Sequence, residues 1–200
     1  NSFGGARSAL KITNSLREIQ YYYSFNKKNN FDPTLCKDAI CHSRVKYNIV
    51  QEFMEPGLLI NNKKVGFRLY LVIFSNNSDI STYIYKDGVC YYSQNDYNKS
   101  NNLDNNVVGS IFKMRDYIES NKLPLFFTDF ITFVKKNYNI SQSKIDFFIN
   151  ELKKKSKIII NSVKDKIIYF KRSNIQKFAI YGIDVEYDKD FNPYIFEGNF

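Results

Sequence analysis

Apolar and polar residues alternate most regularly over residues 64–74, which predicts a β-strand. Period two places one apolar set on a single face, namely Val65, Phe67, Leu69 and Leu71. The opposite face carries Lys64, Gly66, Arg68 and Tyr70. The apolar set predicts a core face. The two cations, about 13 Å apart at ~3.3 Å per residue, mark either a solvated basic edge or one wall of a binding site.

The last twenty residues alternate in the same way on both sides of a turn rich in Asp, Asn and Pro, which predicts a β-hairpin. If Asp188 pairs with Pro193, Asp184 falls opposite Glu197. In the same register Gly182 falls opposite Asn199. Two carboxylates facing each other at about 5 Å repel. Either a divalent cation lies between them, or a nearby Lys or Arg neutralises the pair.

Mg²⁺ is the cation that such a pair favours, because it takes carboxylate oxygens and leaves positions for substrate phosphates. Asn199 lies two residues beyond Glu197, hence on the same face, and can add a neutral oxygen. The sequence therefore offers Asp184, Glu197 and Asn199 as candidate metal ligands.

The remaining strands and helices are distributed along the whole chain. Further strands are expected at residues 9–13, 44–53, 80–85 and 89–92, with Asp87-Gly88 as a two-residue hairpin turn between the last two. A short helix capped by Asn14 or Ser15 follows the first strand. Because the strands come from separated parts of the chain and the helices lie mainly in one block, the pattern predicts an α+β fold with a largely antiparallel sheet.

Helical periodicity dominates residues 111–170, and its clearest helix opens at Ser141. Lysines fill the other faces of that helix, including the run Lys153 to Lys157. A solvated basic face is favoured over a dedicated polyanion site. An aromatic stripe in the preceding helix, from Phe126 to Phe133, is interpreted as core.

Composition narrows the class of protein. The chain has 200 residues and suits one domain, with no run of 18 apolar residues and no visible signal peptide. It begins at Asn1 and stops on a strand, which suggests a piece of a longer protein. Three cysteines do not form a disulfide framework and predict a reducing, cytoplasmic location. Cys36, Cys41 and His42 form C-x4-C-H, but one such cluster is a weak zinc signal.

The net charge of +9 favours anionic partners such as nucleotides or acidic peptides. The sequence is rich in Lys, Asn, Ile, Tyr and Phe. A+T-rich coding produces such a composition without any functional cause, so the net charge is weak evidence for a function. Nucleic acid and membrane partners are not expected. The hypothesis of a basic nucleic-acid-binding domain rests on charge and aromatic content alone.

Two ordered motifs stand out in the chain. Residues 51–60 read QEFMEPGLLI and residues 64–70 read KVGFRLY, and further along residues 182–184 read GID and residues 194–199 read YIFEGN. These motifs resemble the tubulin–tyrosine ligase-like family of ATP-grasp ligases, whose patterns are Q-x-Y-I-x-x-P-L-L-I with K-F-D-x-R-x-Y, and G-F-D with W-L-x-E-x-N. The thirteen-residue step from Asp184 to Glu197 also agrees.

The resemblance implies an ATP-grasp-like fold with helices packed on one side of the sheet, residues 1–200 being the C-terminal part of a catalytic domain. It implies ATP and Mg²⁺ as cofactors and an amide ligation through an acyl-phosphate, with an amino acid and an acidic protein tail such as that of tubulin as partners. ATP-binding residues would be Gln51, Glu52, Phe53, Met54, Lys64, Arg68 and Asp184. Arg68 would be catalytic by reaching the phosphate or acyl-phosphate.

The chain departs from the family pattern at three places. Gly66 stands where the pattern has Asp, and Tyr91 stands where the family presents an Arg. The H-x-T-N segment expected near residues 107–110 is missing. The nucleotide-and-metal half therefore matches better than the acceptor half, and the alternative is a catalytically degenerate domain that serves as a nucleotide- or acidic-partner-binding scaffold.

Overall fold

The computed structural model of the chain describes residues 12–20, 50–76, 79–108, 111–163 and 177–199. Its strands are β1 (Val65–Asn76), β2 (Asp79–Tyr92), β3 (Lys177–Tyr187) and β4 (Pro193–Asn199). Its helices are α1 (Leu103–Asn106), α2 (Ile111–Ser120), α3 (Phe127–Tyr138) and α4 (Gln142–Val163). Residues 16–20 are also helical, as the cap at Asn14 or Ser15 predicts.

Several predicted features lie outside the described residues. They are most of the strands at 9–13 and 44–53, the end of the first helix, and the C-x4-C-H group. Residues 50–53, which were expected to end the strand at 44–53, have irregular backbone.

The four strands form one sheet in the order β2-β1-β3-β4, and every neighbouring pair is antiparallel. The central pairing of β1 with β3 joins residues more than one hundred positions apart, such as Arg68 with Asp184. The predicted α+β architecture with an antiparallel sheet is therefore confirmed.

The core lies between the sheet and the helices, on the face that the alternation of β1 predicts. Phe67 is 2% exposed, and its ring centroid lies 5.0 Å from that of Phe127, 4.8 Å from that of Phe130 and 6.1 Å from that of Phe148. Tyr187 stacks on the same ring at 5.6 Å. Because this face is packed with aromatic rings, the polar residues of β1 are directed to the opposite face.

Helix α4 follows its sequence signals closely. The Ser141 hydroxyl accepts a hydrogen bond from the backbone N–H of Lys144 at 3.3 Å, as an N-terminal cap does. Ile145, Phe148 and Leu152 are buried at the predicted spacing. The lysines on its other faces are mostly exposed, which agrees with a solvated basic face.

The predicted hairpin at Asp87-Gly88 is wrong, because β2 runs through these residues with a bulge. Leu69 of β1 pairs with Gly88, whereas Leu71 pairs with Ile84. The Asp87 carboxylate accepts hydrogen bonds from the backbone N–H groups of Gly88 and of Thr128 in the first turn of α3, at 2.8 and 3.1 Å. Asp and Gly are thus used for a helix cap and for a close strand contact rather than for a turn.

The turn between β3 and β4 differs by one residue from the expected register. Tyr187, rather than Asp188, pairs with Pro193, because the backbone of Asp188 closes the turn with Phe191 and Asn192. An extra residue in β4, Phe196, then restores the predicted register. Asp184 opposite Glu197 and Gly182 opposite Asn199 are therefore confirmed. Among the described residues, no helix has both the length and the apolar character needed to cross a bilayer.

Candidate functional site

Three charged residues lie side by side across β1, β3 and β4. Arg68 pairs with Asp184, which in turn pairs with Glu197. The guanidinium donates two hydrogen bonds to the Asp184 carboxylate, from Nε to Oδ1 at 2.8 Å and from Nη2 to Oδ2 at 2.8 Å. This bidentate geometry is the strong form of an Arg–carboxylate contact. Of the two interpretations of the acidic pair, the structure shows that a nearby Arg contacts one of its members.

The charges around Arg68 hold it in its protonated form. The hydrogen bonds to Asp184 raise the pKa of Arg68 despite partial burial, and Glu197 adds a further attractive charge. The ring of Tyr91 lies 5.5 Å from the guanidinium carbon. The Arg68 and Asp184 side chains are 35% and 32% exposed, so the pair borders solvent.

Lys64 occupies the same sheet face but is almost wholly buried. Its ammonium group lies 2.7 Å from a carboxylate oxygen of Glu186, and the two side chains are only 5% and 14% exposed. The Phe53 ring lies 5.0 Å from the same ammonium group. A buried lysine without a counter-charge is costly, so Glu186 is the group that makes this burial tolerable.

The charged face is the name used below for the side chains of Lys64, Arg68, Asp184, Glu186 and Glu197. It occupies one end of the sheet face that points away from the helices. Gly182, between Tyr181 and Ile183, leaves space for Arg68, because a Cβ on this glycine would lie 3.2 Å from the Arg68 Cδ.

The predicted adenine-binding segment lies beside the charged face. Gln51, Glu52 and Phe53 are exposed, Met54 is half-buried, and all four have irregular backbone. The contact between Phe53 and Lys64 brings this segment to the strand that carries both cations. An exposed, irregular segment leaves backbone N–H and C=O groups accessible to a planar ligand, which is what base recognition needs.

The acidic pair fits a magnesium ion in donor chemistry. Asp184 and Glu197 offer hard carboxylate oxygens from neighbouring strands, and the carboxylate of Asp184 has lone pairs beyond the two that Arg68 uses. The backbone of Asn199 pairs with Gly182, while its side chain lies outside the described part of the structure. Within the described residues, no three His, Cys, Asp or Glu side chains gather in a metal-binding group.

Two contacts of this region, those made by Glu186 and by Tyr91, escaped the sequence analysis. Glu186 follows Asp184 by two residues, so strand alternation places both on one face, and this signal was available. The contact of Tyr91 with Arg68 depends on the pairing of β1 with β2, which places Tyr91 opposite Gly66. The bulge in β2 hides that register from the sequence.

Comparison with known proteins identifies the family of this chain. The model of the tubulin-tyrosine ligase family matches residues 9–200. A relative, tubulin glycylase 3F of Tetrahymena thermophila, is 31% identical over 173 residues. The match covers 78% of this chain but only 18% of that protein, so the chain spans about a fifth of the length of this curated relative. Because the family model matches nearly the whole length of the chain, the chain belongs to the tubulin-tyrosine ligase family.

Proposed function

We propose that this chain provides the nucleotide- and metal-binding part of an ATP- and Mg²⁺-dependent ligase. The reaction joins an amino acid to a protein or peptide acceptor through an amide bond, by way of an acyl-phosphate. The observation that carries the proposal is the row Arg68–Asp184–Glu197, which places a cation and two carboxylates on adjacent strands of one face. Family membership supports the same class of reaction.

The roles follow from charge and position. Lys64 and Arg68 bind phosphate oxygens, and Arg68 is the catalytic residue because phosphoryl transfer needs a positioned cation at the transferred group. Asp184 and Glu197, with Asn199, hold Mg²⁺, and the bound ion supplies charge neutralisation at the phosphates. Gln51, Glu52, Phe53 and Met54 bind the base. We propose residues 1–200 as the C-terminal part of the catalytic domain.

The Tetrahymena relative indicates the substrates. Its name assigns it glycine transfer to tubulin, so glycine as the donor and an acidic tubulin-like tail as the acceptor are the first choices here. The net charge of +9 favours an acidic acceptor by long-range attraction.

A scaffold without turnover is the second candidate, and one contact favours it. Arg68 is bound through two hydrogen bonds to Asp184, so a cation and a metal ligand satisfy each other without a nucleotide. Tyr91, in place of the family Arg, lies against the same guanidinium. Nucleotide binding alone does not require the acceptor-side motif residues, so their departure from the family pattern is compatible with a scaffold.

Glycine incorporation separates the two candidates. The full-length protein that contains this chain is incubated with Mg-ATP, labelled glycine and tubulin, and both ADP release and label in tubulin are measured. The ligase predicts both products in the wild type and their loss in R68M, while R115M keeps them because the Arg115–Glu119 pair is exposed on α2. Nucleotide binding without ADP release or label would select the scaffold.

A further inference from the structure

We propose that Glu186 is a positioning residue for Lys64, and that it supplies from β3 the carboxylate for which β1 has no side chain at Gly66. The inference rests on the proposed function insofar as Lys64 acts on the nucleotide. It concerns the ion pair between Lys64 and Glu186. The family pattern K-F-D-x-R-x-Y has its carboxylate at the position of Gly66 instead.

The space above Gly66 explains why the carboxylate comes from the neighbouring strand. A Cβ placed on Gly66 would lie 3.3 Å from the Glu186 Cγ and 3.3 Å from a methyl carbon of Val108. These contacts are tighter than ordinary packing, so a side chain at residue 66 requires the stem of Glu186 and the Val108 side chain to shift by a few tenths of an ångström. A side chain at residue 66 therefore competes for space with the glutamate at residue 186.

Electrostatics gives the same result. Lys64 is 4% exposed, and burial of an ammonium group requires a charged partner close by. Glu186 provides that partner at 2.7 Å. Of the carboxylates on the charged face, Asp184 bonds to Arg68 through both oxygens, and Glu186 is the one that contacts Lys64. Lys64, directly before β1, and Arg68 in β1 are thus each matched to their own carboxylate on β3.

The pairing also fixes the direction of Lys64. The ammonium group lies between the Glu186 carboxylate and the Phe53 ring, 5.0 Å from the ring centroid. Phe53 belongs to the proposed base-binding segment, so the carboxylate directs Lys64 toward the place where a nucleotide would lie. Without the carboxylate, a flexible four-carbon stem has no reason to keep this direction.

The test is a carboxylate swap measured in the full-length protein by ATP titration in the presence of Mg²⁺ and by thermal unfolding without nucleotide. E186A is expected to weaken ATP binding at least about tenfold, the size of effect seen when an orienting partner is removed. G66D alone is expected to lower the unfolding midpoint by crowding. The double variant G66D/E186A is expected to recover affinity to within about threefold of the wild type. E119Q, on the exposed surface of α2 and outside the charged face, is the control and is expected to leave both quantities close to those of the wild type.

A second swap separates positioning from simple stabilisation. K64E/E186K keeps an ion pair across the two strands but moves the cation to β3. A positioning role predicts a recovered unfolding midpoint with ATP binding still lost, whereas recovery of both would overturn it. ATP binding by E186A equal to that of the wild type would also overturn the inference, with the proposed function intact. If the wild type binds no ATP, the proposed function fails. The pairing itself is then tested by stability alone: decreases in the unfolding midpoint of K64M and E186A that add up in the double variant would overturn it.

Discussion

Removal of Arg68 should destabilise the protein more than neutralisation of its partner Asp184. In Asp184→Asn the guanidinium keeps the Tyr91 ring and the Glu197 charge nearby. In Arg68→Met the carboxylates of Asp184 and Glu197 remain directly opposed on paired strands, and the cation that bonds to Asp184 from β1 is gone. Like charges at directly opposed strand positions are destabilising.

The size of the coupling follows from geometry and exposure. Two unit charges 4 Å apart attract by about 4 kcal/mol at an effective dielectric constant near 20, before desolvation is subtracted. Because both side chains are about one-third exposed, screening and side-chain ordering reduce this strongly. A bidentate pair at this exposure should retain a coupling free energy of about 1.5 kcal/mol.

The assay is a double-mutant cycle in urea with R68M, D184N and R68M/D184N, at pH 7 and low salt. The matched control is the exposed pair Arg115–Glu119 on α2, where a coupling of about 0.4 kcal/mol is expected. Adding Mg²⁺ should stabilise R68M more than the wild type, because an ion bound by the two carboxylates supplies the positive charge that Arg68 no longer provides beside Asp184. A coupling no larger than that of the control pair, together with an equal effect of Mg²⁺ on both proteins, would refute the reasoning.

Three further predictions concern the fold that holds the site. Phe67→Ala should cost about 3–5 kcal/mol in urea unfolding, because the ring is buried among four aromatic neighbours; an effect under about 1 kcal/mol would contradict the described core. Burial opposes ionisation of Asp188, but hydrogen bonds from Asn192, Asp190 and Tyr194 outweigh it and lower the pKa of Asp188. This contribution to stability is present above the carboxyl's ordinary pKa and is lost as the pH falls through the lowered value, so Asp188→Asn should flatten the acid limb of a stability–pH curve. Burial raises the pKa of the Cys90 thiol, so alkylation of Cys90 should proceed only at the rate of unfolding, and rapid labelling of Cys90 itself in the native protein at pH 8, located by peptide mass mapping, would contradict its burial.

The sheet could be predicted largely because its signals are local and periodic. Alternation along β1 assigned Phe67 to the core and Arg68 to the opposite face, and the structure agrees on both. The predicted pairing of Asp184 with Glu197 is correct although β4 contains a bulge. The turn shifts the register by one residue, and the extra residue Phe196 shifts it back. Because the two shifts cancel, counting residues from the turn gives the right pairing without revealing the bulge.

What the sequence did not provide is the partner of each charge. Asp87 and Gly88 have the composition of a turn, yet Asp87 caps a helix forty residues away in sequence and Gly88 passes too close to the Arg68 carbonyl for any side chain. Likewise, Lys64 carries no sequence signal that it pairs with Glu186. These contacts depend on which strands become neighbours in the sheet. The pairing of β1 with β3 joins strands that are separated in sequence by all four helices, so it depends on tertiary packing and not on a local sequence signal.

The most direct test of the account is whether one bound ion requires both carboxylates of the hairpin. ATP affinity is measured by calorimetry with and without Mg²⁺ in the wild type, E197Q and D184N, with E119Q as the exposed control. The account predicts that Mg²⁺ strengthens ATP binding in the wild type and in E119Q by at least about tenfold, and that this gain disappears in E197Q and D184N. A gain from Mg²⁺ that is equal in all four proteins would show that Asp184 and Glu197 do not share an ion.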